Sequence, residues 1–174
     1  MSIFAKKKTP LGSLFCVGCS VLFLALPGKA QDFVFEPSLL DTCLAEGSED
    51  LCIGVAARAC IAGPGGTTTV GLGYCFDQEL SLWDGLLNRR YQALRQRAQS
   101  HDEALDEASF APKIAPQLLA MQRAWLAFRA ETCAFERVLW GGGTGGGPAM
   151  LNCLMEETAR QAIRLGGASG WMEQ

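Results

Sequence analysis

Between Ile114 and Phe135 the large or half-apolar residues stand at Ile114, Leu118, Met121, Trp125, Phe128, Thr132 and Phe135, alternating fours and threes. That spacing lays one stripe along a helix and suits shallow-angle packing against neighbouring helices. Gln122, Arg123, Arg129, Ala130 and Glu131 fall off the stripe, which predicts an amphipathic helix at the surface of a bundle. A second stretch repeats the alternation. Leu80, Trp83, Leu87, Tyr91 (or Arg90), Leu94 and Ala98 predict a helix over 75–100. Asp77 and Glu79 fall in its first turn and Arg95 and Arg97 in its last, each complementing the dipole. Two helices with one period are two walls of the same bundle.

The other elements are shorter. Residues 31–42 lack period and read as an extended or loosely docked arm. Ser48 can cap a helix whose first turn holds Glu49 and Asp50, with Leu51, Val55 and Ala59 as its apolar side. Residues 61–74, with five glycines and Pro64 around three threonines, read as a loop. It lacks the Gly-Lys-Ser/Thr ending of a phosphate loop. A polar linker, 101–113, leads to the central helix, which the run from Gly141 to Pro148 ends. A last helix covers Ala149 to Leu165, with Leu151, Leu154, Met155, Thr158, Ala162 and Leu165 on its buried side. Gly166 and Gly167 stop it, leaving residues 166–174 as a frayed tail with Trp171 tucked back. The fold class expected is all-α, a small disulfide-stapled helical bundle of about four helices.

Residues 1–30 read as a secretory signal peptide. Lys6, Lys7 and Lys8 precede an apolar run from Leu11 to Leu26, and Gly28-Lys29-Ala30 places small residues for cleavage after Ala30. The run is too short for a membrane span, and no other segment is long and apolar enough for one. Lipidation at Cys19 is disfavoured, because Cys16 stands where a Leu-like residue belongs and the apolar run continues past Cys19. The expected location is the periplasm or outside the cell. Removing the leader takes four lysines and no acids, so 18 acidic and 11 basic residues remain and the formal charge moves from −3 to −7. Such a surface repels nucleic acid and favours cationic partners.

Six cysteines follow the leader: Cys43, Cys52, Cys60, Cys75, Cys133 and Cys153. In an exported chain an even number reads as three disulfides. With His101 the sole histidine, and no Cys-x-x-Cys left, neither a metal site nor a cofactor is expected. Pairing of chain neighbours is favoured: Cys133 with Cys153 across the glycine run, Cys60 with Cys75 around the Gly/Thr loop, and Cys43 with Cys52. The rival sets Cys75 opposite Cys133, since antiparallel helices place the start of one beside the end of the next.

The pattern Cys75-x8-Asp84-x2-Leu87-Asn88-x2-Tyr91, then Gln122-x2-Trp125-x3-Arg129-x3-Cys133, then a glycine-rich loop and Cys153-Leu154-x3-Thr158, resembles the lysozyme-inhibitor LprI-like family of exported bacterial proteins. The resemblance covers about residues 60–165, with 31–59 as an N-terminal extension carrying its own pair of cysteines. It departs from the family where an arginine usually follows the threonine by three positions: Gln161 stands there, and Arg160 precedes it. The resemblance implies a helical envelope protein that binds rather than catalyses.

From the residues, Asp84 and Arg129 are expected to form a bidentate ion pair across two helices, with Asn88 satisfying what is left over. With Leu87, Tyr91, Gln122, Trp125 and Thr158 this cluster reads as structural, the alternative being a ligand site. The function expected is to bind and block a cationic muramidase such as a lysozyme, with Gly141, Gly142, Gly143, Thr144, Gly145, Gly146 and Gly147 as a candidate partner-contact loop. The alternative is an envelope interaction module with another partner. A carboxylate-dependent hydrolase is disfavoured: His101 sits alone, there is no Gly-x-Ser-x-Gly elbow, and pairs such as Glu156/Glu157 and Asp102/Glu103 read as solvated charges. No catalytic residue is assigned.

Overall fold

The longest element of the computed structural model, which describes residues 32–106 and 110–171, is the 36-residue helix α3. In chain order the helices are α1 (Ser38–Glu46), a 3₁₀ turn (Glu49–Cys52), α2 (Val55–Ile61), α3 (Thr69–Ala104), α4 (Ile114–Val138) and α5 (Gly146–Trp171). No strand occurs among the described residues. The leader with Cys16, Cys19 and the cleavage site, residues 172–174 and the Trp171 side chain lie outside what is described.

Helices α2, α4 and α5 all pack on α3, α5 most extensively. The column expected on α3 is the one buried: Trp83, Leu87, Leu94 and Ala98 are enclosed, with Leu80 and Tyr91 packed at their edges. Trp83 is fully buried, a term worth roughly 4–6 kcal/mol of transfer free energy before entropy is subtracted. Opposite it α5 supplies Met155, Ala159, Ala162 and Leu165.

Several boundaries differ from the sequence reading. Residues 32–36 have no regular structure, with Phe33 against Tyr74 at 5.2 Å between ring centroids, but α1 begins at Ser38 and buries Leu40. Ser48 makes no side-chain cap; it precedes a 3₁₀ turn, and Leu51 is exposed. Helix α3 starts at Thr69, well before Cys75. Thr68 Oγ1 accepts from the Gly71 amide at 3.0 Å and donates to the Gly65 carbonyl at 2.7 Å. A side chain at Gly71 would collide with the Gly65 carbonyl, so this glycine lets the loop lie on the first turn. Asp77 and Glu79 are therefore interior to α3, and His101 lies in its last turn rather than in a linker. At the other end, Gly166 and Gly167 do not stop α5. Leu165 is fully buried and Ala168 packs on the core, and that packing overrides the low helix propensity of glycine.

On α4 the expected stripe holds only at its start. Leu118 and Trp125 are buried and Ile114 and Met121 half-buried, but Phe128 and Phe135 are exposed while Gln122 and Cys133 are buried. The cause is helical pitch. A four-three alternation repeats every 3.5 residues, whereas a straight α-helix turns every 3.6, so the buried line drifts by about 20° per heptad.

Three disulfides, Cys43–Cys52, Cys60–Cys75 and Cys133–Cys153, join Cα atoms 5.6, 5.7 and 5.4 Å apart. They close segments of 9, 15 and 20 residues, each worth about 3 kcal/mol of denatured-chain entropy in the loop-closure account.

Two acids of α3 cap other helices. Glu79 is fully buried: Oε1 accepts from the Gly54 amide at 2.6 Å and from Trp83 Nε1 at 2.9 Å, and Oε2 from the Ala57 amide at 2.6 Å. The backbone donors are orphans of the first turn of α2, which no side chain of its own caps. Asp102 does the same for α4, its two carboxylate oxygens accepting from Ile114 and Ala115, each at 2.8 Å. Burial alone would raise the Asp102 carboxyl, but these backbone donors and neighbouring His101 outweigh it and hold its pKa below the ordinary 3.8.

Replacing Glu79 with alanine strands three donors in the core. Urea unfolding of Glu79→Ala with disulfides intact is expected to show a loss of at least about 3 kcal/mol; a loss under about 1 kcal/mol would contradict the capping role. For Asp102 the native pKa is depressed, so its stabilisation is present above about pH 4 and disappears as pH falls through the lowered value. The stability gap between wild type and Asp102→Asn is thus expected to be widest near neutrality and to shrink below about pH 4 in a series of urea titrations.

Candidate functional site

The motif residues converge where α3, α4 and α5 meet. Leu87 is core and Tyr91 half-buried beside it. Arg129 reaches across α4 to α5, where Nη1 donates to Thr158 Oγ1 at 2.8 Å, and its guanidinium lies 4.7 Å from the centroid of the Trp125 ring. Asp84 comes no closer to Arg129 than 4.0 Å and is half-exposed, and its Oδ2 is taken by Asn88 Nδ2 at 2.9 Å. The bidentate Asp84–Arg129 pair is therefore not formed. Asn88 donates to Asp84 one turn apart along α3, and Arg129 keeps a single-point ion pair with Asp84 at 4.0 Å while bonding the Thr158 hydroxyl and lying against the Trp125 indole.

One residue that the pattern treats as a departure completes this interface. Gln161 is almost wholly enclosed; its Nε2 donates to Gln122 Oε1 at 3.0 Å, close to Met121 Sδ at 3.2 Å, and its Oε1 accepts from Arg164 at 3.1 Å. Gln122, placed off the stripe by the sequence reading, is buried as its partner. Thr158, Gln161 and Gln122 thus form a buried polar seam between α4 and α5. The available signal was their spacing: Thr158 and Gln161 stand three apart on the same side as Met155 and Leu165.

Arg90 is a second cross-brace. It makes a fork to Glu49, Nη1 to Oε2 at 2.8 Å and Nη2 to Oε1 at 2.5 Å, and Nη1 also reaches the Ala162 carbonyl at 3.0 Å. One side chain of α3 so ties the 3₁₀ turn to α5.

The remaining candidate, the glycine run, is a connector of changed extent. Gly141 and Gly142 have positive φ and make the turn, while Gly146 and Gly147 already belong to α5. Trp140 lies flat over Gly145, where a Cβ would collide with the indole. Beside this turn a groove of about 620 Å³ opens between the start of α3, the end of α4 and the start of α5. Leu72, Phe76, Trp140, Pro148 and Ala149 give it an apolar lining next to the Cys133–Cys153 bond. Its rim holds Glu136, Glu156, Glu157 and one cation, Arg160, which donates to both Glu157 and Glu156 at 2.7 Å. Partial burial works against the Arg160 charge, but these bonds outweigh it and raise its pKa above the usual arginine value. Phe128, Phe135, Val138 and Leu139 are exposed along the same end of α4.

No group of three or more His, Cys, Asp and Glu suited to a metal ion occurs among the described residues, and none of their helices is long and apolar enough to cross a membrane.

The family model described as lysozyme inhibitor LprI matches residues 60–165, from Cys60 at the end of α2 to Leu165 on α5. The chain belongs to the LprI family of lysozyme inhibitors. No curated protein and no solved structure matches it. The LprI match takes in the motif cluster, the groove and the glycine turn, and leaves out α1 and the 3₁₀ turn.

Arg129→Ala is expected to lower stability by roughly 1–2 kcal/mol, from the lost bond to Thr158 and the lost contact with Trp125. An unchanged melting temperature accompanied by loss of partner binding would make the cluster a ligand site instead.

Proposed function

We propose that this chain is exported by a leader cleaved after Ala30 and acts as a binding protein that blocks a cationic muramidase, performing no chemistry itself. Membership of a lysozyme-inhibitor family across residues 60–165 carries the reading. The charge of residues 31–174, 18 acids against 11 bases, supports a basic partner, since opposite fields speed encounter and suit a salt-sensitive complex. The three disulfides support residence in an oxidising compartment.

The end of the bundle that carries the groove, the exposed apolar residues of α4 and the glycine turn is the proposed contact surface. The turn between Trp140 and Gly146 is slim and braced at its base by Cys133–Cys153. Lysozymes cut between sugars with two carboxylates in a cleft. A rigid acidic body seated at that cleft excludes substrate without needing a reactive group.

The test is a titration of purified residues 31–174 against hen-type lysozyme while following clearing of a cell-wall suspension. Clearing is expected to slow in proportion to inhibitor added, and inhibition to weaken as salt is raised. Undiminished clearing at a large molar excess would rule out that lysozyme class and favour an envelope interaction module with another partner.

A further inference from the structure

We infer that the groove beside the glycine turn is the receptor for an arginine side chain presented by the partner protein, a reading that rests on the proposal that the partner is cationic. The groove combines two features that select such a side chain. It is lined by apolar side chains, Leu72 and Phe76 from α3 and Trp140 from the turn after α4. Its rim is acidic, and the acids are unequally satisfied. Glu156 and Glu157 share Arg160, whereas the Glu136 carboxylate has no hydrogen bond or ion pair among the described residues.

An apolar occupant would cover Glu136 and strand its charge, which is costly. A lysine would answer the charge but offer the indole no planar face. An arginine meets each requirement: its methylene stem lies on the apolar lining, its guanidinium plane stacks on the half-exposed Trp140 ring, and its fork donates to Glu136. Glu136, in the last turn of α4, and Trp140, in the turn just past it, both line the groove, within reach of one guanidinium. The α4 and α5 sides of the groove are joined by the Cys133–Cys153 bond at the groove itself, so little ordering of those two sides is left to binding. Buried arginine anchors in preformed pockets are a common source of interface affinity.

The experiment has two arms. In the first, a capped Gly-Arg-Gly tripeptide and its Gly-Lys-Gly counterpart are titrated into ¹⁵N-labelled residues 31–174. The arginine peptide is expected to shift amides around Leu72, Phe76, Glu136 and Trp140, more strongly than the lysine peptide. The shifts are expected to vanish in Glu136→Lys and persist in Glu103→Lys, an equal charge change at the far end of α3, where Glu103 is exposed. Shifts scattered over the acidic surface, absent, unaffected by Glu136→Lys, or equal for both peptides would overturn the inference. In the second arm, Glu136→Lys is expected to weaken lysozyme inhibition about tenfold or more, with Glu103→Lys changing it far less. Equal losses in both variants would overturn the groove while leaving the inhibitor reading intact. Absence of inhibition by wild type would defeat that reading, and the tripeptide arm would still decide the groove.

Discussion

The buried carboxylate of Glu79 fixes the start of α2 on the long helix α3. It meets two backbone amides of the start of α2 and the indole of Trp83, all inside a volume from which water is excluded. A buried acid with three well-placed donors is favourable only as a complete set, because each missing partner leaves a desolvated polar group behind. Helix α2 spans only Val55–Ile61 and would not persist alone. Its position follows from Glu79 at one end and the Cys60–Cys75 bond at the other.

The same economy recurs along α3. Asp102 starts α4 as Glu79 starts α2, and Arg90, between them, reaches both the 3₁₀ turn and α5. The long helix therefore specifies where its neighbours begin by polar contacts and how they lean by apolar ones. The α4–α5 seam of Arg129, Thr158, Gln161 and Gln122 adds directional bonds where an apolar interface alone would permit sliding. A rigid bundle of this kind presents one end, with its groove and turn, in a fixed shape.

The all-α class, the existence of α3, α4 and α5 and the Trp83–Ala98 column were legible because hydrophobic period over long stretches is a strong signal. What escaped the reading had physical causes. Helix α1 is nine residues with one buried side chain, Leu40, so its period is too brief to see. Glu79 sits on the Trp83–Leu87 column, four residues before Trp83; an acid on an apolar line is the clue, and because α3 begins at Thr69 and not at Cys75 it is an interior residue and not a first-turn charge. Phe128 and Phe135 fall inside only under a 3.5-residue repeat, which a 3.6-residue helix does not keep. The groove was invisible because the start of α3 meets a distant stretch of chain, the end of α4 and the start of α5. Asp84 and Arg129 do approach to 4.0 Å, but Arg129 also bonds Thr158 and Asp84 also bonds Asn88, so the bidentate fork is absent.

The three cystines link the first thiol of the folded region to the second, the third to the fourth and the fifth to the sixth. In a chain threaded out from its N-terminus, each half-cystine would meet its correct mate as the next one to arrive, before any later competitor is exposed. Correct oxidation is then possible by order of appearance, and the molecule has little need of a catalyst that shuffles wrong bonds into right ones.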